Sequence, residues 1–231
     1  MQLIEPSIVG LRAARHTLRS PDHPAEITLF PMIHIGSQVF FDRIYDDARR
    51  ADVVITEGVR SPIVRRIVRS YRWIGAERLG LVVQPPFSAE DSDCVVRHGD
   101  LEPDAFDALW RQSPWFCRTL FEIGAPVVGI WRRFTATRHT LAQDARTDSL
   151  PDRATILSWR PEQAGMFKAI LEARDRHLCE VIENTIGPKG GSGPRVAVIF
   201  GAGHMGVVAR HLHNLAGFRP AESEWIEVFS Y

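Results

Sequence analysis

Arg195-Val196-Ala197-Val198-Ile199-Phe200-Gly201-Ala202-Gly203-His204-Met205-Gly206 is the stretch that decides the fold of this chain. Val196 to Phe200 is a continuous apolar run rich in β-branched side chains. Such a run is expected of a strand buried on both faces, as in a parallel sheet. Glycines follow at 201, 203 and 206. Apolar residues then recur at Met205, Val208, Leu212 and Leu215, which is helical spacing. The reading is strand, glycine turn, helix. It places the turn at the carboxyl end of a strand, where open α/β sheets bind ligands.

Two chemistries compete for this turn. In the first, Gly201, Gly203 and Gly206 spell G-x-G-x-x-G, the dinucleotide fingerprint, with Glu222 and Glu224 near the ribose-binding distance. That fingerprint normally opens its domain, whereas here it stands late in the sequence. In the second, G-x-x-H, Gly201 only lets the backbone turn and His204 carries the chemistry.

The same pattern recurs upstream. Ala25 to Phe30 reads as the second arm of an N-terminal hairpin, after the turn signal Ser20-Pro21-Asp22-His23-Pro24. It runs into Pro31-Met32-Ile33-His34. Ser37 then caps a helix with apolar positions at Phe40, Phe41, Ile44, Tyr45 and Ala48. Ala51 to Gly58 is a second buried-strand pattern, and it ends on Glu57. Strand, helix, strand predicts a parallel unit. His34, Glu57 and His204 are thereby expected at one edge of one sheet.

Two imidazoles and a carboxylate with open positions form a recurrent catalytic metal set for zinc, manganese, cobalt or iron. A metal held there would activate water for hydrolysis. Alternatively Glu57 is the general base rather than a ligand. Residues 161–186 read as the longest helix, with Phe167, Ile170, Leu171, Leu178, Val181 and Ile182 inward. Arg174 falls inside that stripe and Asp175 at its edge. A charge there is costly unless it is paired. Arg174 therefore either pairs a core carboxylate or faces the site, where it would hold a substrate carboxylate or an oxyanion.

The remaining segments say less. Residues 62–76 read as a helix with Ile63, Ile67 and Tyr71 inward, and 80–100 as a surface loop. Residues 103–124 read as helical and broken at Pro114. Pro126 to Trp131 reads as a short strand, 132–160 is polar and ambiguous, and Trp225 to Phe229 is expected to close the sheet at an edge. His211 and His213 are excluded from the site by helical spacing. The sequence predicts one α/β domain over 1–231, mainly parallel and flanked by helices, with an N-terminal hairpin and a helical insertion near 80–160.

The 28 basic and 28 acidic residues cancel, which argues against nucleic-acid binding by bulk charge. Three separated cysteines offer no disulfide framework and no Cys-x-x-Cys site. With no signal peptide and no apolar run of membrane length, a cytoplasmic protein is expected.

Pro31-Met32-Ile33-His34, Val53-Val54-Ile55-Thr56-Glu57, Arg174-Asp175 and Gly201-Ala202-Gly203-His204, in that order, resemble the TraB/PrgY/TIKI family. The resemblance covers both ends of the chain. It implies an α/β fold with two G-x-x-H motifs and a glutamate, and some members are described as metal-dependent proteases. It further implies His34, Glu57 and His204 as metal or catalytic positions, with Arg174 nearby. Pro31 stands where the family has glycine, and proline forbids positive φ. The expectation is a metal-dependent hydrolase of peptide or amide-like bonds using Mn, Co or Zn. Glu57, Arg174 and Asp175 are its catalytic groups, its substrate is a peptide or small molecule, and a homo-oligomer is allowed. A dinucleotide-binding oxidoreductase and a non-catalytic regulatory protein are the alternatives.

Overall fold

The computed structural model describes residues 1–59, 61–90, 92–112, 114–145, 161–188 and 193–231. The chain is α/β. A seven-stranded mixed sheet runs from an antiparallel half to a parallel half. Strands β2 (Gly10–Ser20) and β3 (His23–Met32) form the expected hairpin, turning at Pro21-Asp22. Strand β9 (Arg219–Ser230) lies antiparallel along the whole of β2. The other edge of β2 is shared. Its first half pairs with β1 (Ile4–Pro6) and its second half with β3.

The parallel half continues from β3 to β8 (Arg195–Gly201), then β5 (Val53–Thr56), then β7 (Val95–His98). Val196 to Phe200 are all buried, including neighbours that point to opposite faces. Both faces of β8 are therefore covered, as its sequence predicts. A small ladder of β4 (Ile35–Gly36) and β6 (Val82–Val83) stands beside the main sheet.

Helix α1 (Gln38–Ala48) begins where Ser37 Oγ accepts from the Phe40 amide at 3.2 Å, and its five predicted apolar positions are buried. Helix α2 is Pro62–Trp73; the predicted inward side chains of Ile67 and Tyr71 lie outside the described residues, while Ile63 packs into a small cluster with Val59, Phe106, Trp110 and Ile170. Helix α3 (Pro103–Gln112) and helix α4 (Trp115–Thr135) are separated at Pro114, as expected. Thr137 and Thr140 cap α5 (Arg138–Asp144) reciprocally. Helix α6 spans Pro161–Ile186, matching the predicted bounds. Helix α7 (Ala202–Ala216) ends at Gly217, which holds a φ of 68°.

Three sequence expectations fail, the first being Leu171 of α6, which is expected inward but is 36% exposed. Residues 126–131 are not a strand but the middle of α4. Val127, Val128, Ile130 and Trp131 are all 50–61% exposed, so the run is not a buried strand, and length rather than composition separates helix from strand here. Residues 80–100 are not wholly a loop, because Val95–His98 adds the outermost parallel strand. All four of its residues are exposed, so no buried pattern marks it. The expectations placed on 146–160, on the Phe167 side chain and on residues 189–192 lie outside the described residues.

Candidate functional site

Parallel register aligns the strand ends. Met32 pairs with Gly201, and Thr56 pairs with both Ile199 and His98. The Glu57 amide donates to the Ile199 carbonyl at 3.1 Å and the Gly99 amide to the Thr56 carbonyl at 3.0 Å. Residues just beyond β3, β5, β7 and β8 therefore share one rim, and α6 lays Arg174 and Asp175 across it.

Glu57 sits at the N-terminus of α7. That helix has no side-chain cap of its own. Instead Glu57 Oε2 accepts the Gly201 amide at 2.7 Å, which puts a carboxylate at the positive end of the helix dipole. Its other oxygen, Oε1, accepts from Arg174 Nη2 at 2.6 Å. Gly58 follows with a φ of 146°, a conformation that glycine adopts readily. In that turn the Gly58 amide reaches Asp100 Oδ2 at 3.3 Å.

Arg174 is gripped from two sides. Its Nε and Nη2 donate to the two oxygens of Asp100 at 2.8 and 2.7 Å, in addition to the bond to Glu57. The Asp100 side chain is only 1% exposed, against 17% for Arg174 and Glu57. Burial by itself disfavours the guanidinium charge. The hydrogen bonds it donates to Asp100 and the charges of Glu57 and Asp100 outweigh it and raise the pKa above the ordinary arginine value. One cation against two carboxylates leaves the cluster net negative. Nη1 makes no hydrogen bond among the described residues.

His204 stands in the first turn of α7 and is buried. Its Nδ1 is 2.6 Å from Asp175 Oδ1. An ionised carboxylate can only accept, so the proton of a neutral imidazole lies on Nδ1 and the Nε2 lone pair is left open. Nε2 makes no hydrogen bond to the described residues, nor is it among their fully sealed unpaired atoms. The Phe200 ring meets the imidazole edge-on at 5.0 Å, and the Arg174 guanidinium lies 5.6 Å from the same ring. Phe200 thus separates and positions the two charged assemblies.

His34 lies between β3 and β4, and its side chain is exposed. Its backbone is anchored by the Gln84 amide, which donates to its carbonyl at 2.8 Å. The rim therefore brings Glu57, Arg174, Asp175 and His204 into one connected neighbourhood, with His34 beyond the adjacent strand end. Sequence reasoning missed Asp100. It follows a strand that carries no apolar pattern, and only its pairing to Arg174 reveals it. Of the two options for Arg174, core pairing and site proximity, the geometry satisfies both.

The predicted metal set is not assembled among the described residues. Both Glu57 oxygens are engaged, one by a cation that would repel a second cation. Among the described residues, no group of three His, Cys, Asp or Glu is placed to hold an ion. His204 alone has the carboxylate-backed form of a metal-ligating histidine.

The dinucleotide alternative meets its own obstacle. Glu57 occupies the amide of Gly201, where a pyrophosphate would need to approach. A Cβ on Gly206 would meet nothing within 4 Å, so close helix packing does not demand that glycine. His211 pairs with Glu183 at 2.7 Å, and His213 Nδ1 lies 3.4 Å from the Phe218 carbonyl, in keeping with their exclusion. No helix among the described residues is long and apolar enough to cross a membrane. Compared with family models, with curated proteins and with solved structures, the chain matches none.

Proposed function

We propose that this protein is a hydrolase of peptide or amide-like bonds, with His204 as general base. The observation that carries the reading is the buried His204–Asp175 pair, 2.6 Å apart, at the carboxyl rim of a parallel sheet. Asp175 fixes the tautomer and orientation of the ring. Nε2 then takes the proton of an attacking water and returns it to the leaving amine. Arg174 presents Nη1 toward charge developing on the carbonyl oxygen. Glu57 and Asp100 hold the guanidinium in place; neither touches the reacting atoms in this scheme.

The test is hydrolysis of a panel of peptide, aryl-amide and ester substrates by wild type, His204→Gln and Asp175→Asn, with elemental analysis of each preparation beside His34→Ala. Turnover lost in both rim variants, with the fold retained, supports the reading. Turnover that survives His204→Gln sinks it. Stoichiometric metal that disappears in both His34→Ala and His204→Gln would restore the metal-dependent form of the hydrolase.

A further inference from the structure

Helix α4 carries an apolar face that nothing among the described residues covers. Ile123, Val127, Ile130, Trp131 and Phe134 are each 50–75% exposed. Their spacing of four, three and four residues, with Trp131 alongside, places them on one stripe of the helix. At the usual sizes of these residues the five leave roughly 650 Å² open. A monomer's largest apolar patch is about 300–600 Å², whereas about 800 Å² per partner is what a standard stable interface buries.

We propose that this face is a homodimer interface, in which α4 packs antiparallel against α4 of a second copy. Three observations point to a second copy. The stripe is that of a two-helix seam, in which side chains at 3–4 spacing interlock at a shallow crossing angle. It is also self-complementary about a two-fold axis. Running antiparallel, Ile123 of one copy meets Phe134 of the other, and Val127 meets Ile130, so these four side chains find apolar partners. Finally, the charges stand clear of it. Arg118 and Arg132 project from the opposite side of the helix, where Arg132 is tied to Asp144 at 2.7 Å.

Direction follows from charge as well. A parallel pair would bring Arg132 and Arg133 of both copies to the same end and align the helix dipoles unfavourably. The antiparallel pair separates them. This inference is independent of the hydrolase reading.

Sedimentation and light scattering of the full chain test it. The expected particle has twice the 26.1 kDa chain mass. Val127→Glu and, separately, Phe134→Gln should weaken it, the glutamate by ~100-fold or more because a charge is buried without a partner. Both positions are exposed in the single chain, so circular dichroism should not change. Direction is read by disulfide trapping with Cys117 replaced by serine. Ile123→Cys mixed with Phe134→Cys should give a heterodisulfide, and neither alone a homodisulfide. A chain that stays monomeric at 26.1 kDa to ~100 μM, far above typical complex affinities, overturns the proposal. So does a dimer that both substitutions leave intact. Homodisulfides from each variant alone overturn the antiparallel pairing, and a monomer that binds anionic vesicles through this face assigns it to a membrane surface instead.

Discussion

His204 Nδ1 and Asp175 Oδ1 stand 2.6 Å apart, although 29 positions separate them in the chain. They come from two helices that pack on each other across the rim of the sheet, so the pair exists only in the folded state. Asp175→Asn keeps the shape but allows the amide to donate to Nδ1, which moves the imidazole proton to Nε2 and removes the base. Loss of a positioned general base costs about 10²–10⁴ in rate. In assays on the substrate that wild type cleaves, kcat is expected to fall by that factor with KM little changed.

Arg174→Met should be among the most destabilising single changes. It leaves Asp100, 1% exposed, and Glu57 without their cation. Breaking a buried pair in this way costs about 3–5 kcal/mol. Urea denaturation should show the loss, and adding Asp100→Asn should recover part of it, because the two changes act on one network. Equal losses in the single and double variants would contradict the pairing.

Gly99 is a second sensitive position, for a packing reason. A Cβ there would lie 2.7 Å from Ile55 and 2.7 Å from Leu178 of α6. Gly99→Ala should therefore lift α6 from the sheet, at about 1–3 kcal/mol. Because α6 carries both Arg174 and Asp175, activity should fall further than stability predicts. A variant with native rate and native melting would contradict this packing.

The pH dependence of stability has a source far from the rim. Burial lowers the pKa of His16 below its usual 6.5, against the opposing hydrogen bond to the Gln2 carbonyl, while the N-terminal charge lowers it further. The unfolded chain then binds a proton that the folded chain refuses. Stability from this residue is complete above about 6.5 and is lost as pH falls through that value toward the folded pKa. His16→Gln should be less stable than wild type at pH 7.5, and the gap should narrow at pH 5. A constant gap across that window would assign the effect to other groups.

Cys179 should resist alkylation in the native protein. Burial, and then the charges of Asp175, Glu183 and Glu180, push its thiol up to about 11, and the thiolate is the reactive form. Iodoacetamide at pH 8 followed by peptide mass mapping should find Cys179 unmodified until denaturant is added.

The parallel core was legible because Val196 to Phe200 and Val53 to Thr56 lack any polar alternation, which marks strands buried on both faces. Ser37 and the α1 pattern were legible because a cap and an apolar face are local signals. Arg174 announced itself as a charge inside an apolar stripe. Asp100 and β7 gave no such signal, since an exposed edge strand has no pattern and a buried aspartate is recognised only by its partner. Pro126 to Trp131 misled because a short apolar run carries no period that separates helix from strand. Glu57 was expected as a metal ligand on residue type alone. Its helix-capping bond to Gly201 and its ion pair with Arg174 depend on register and on a distant helix, neither of which a local pattern contains.

The position of β8 constrains how the chain can be made. It lies between β3 and β5, yet it is translated long after both. Until Arg195–Gly201 leaves the ribosome, the inner edges of β3 and β5 have no native neighbour, and the long β9 that covers β2 comes later still. Bare strand edges are templates for wrong pairing. The nascent protein therefore waits with its most aggregation-prone surfaces open until the central strand arrives, as a keystone that joins β3 to β5 and completes the rim, and only then does β9 cover β2.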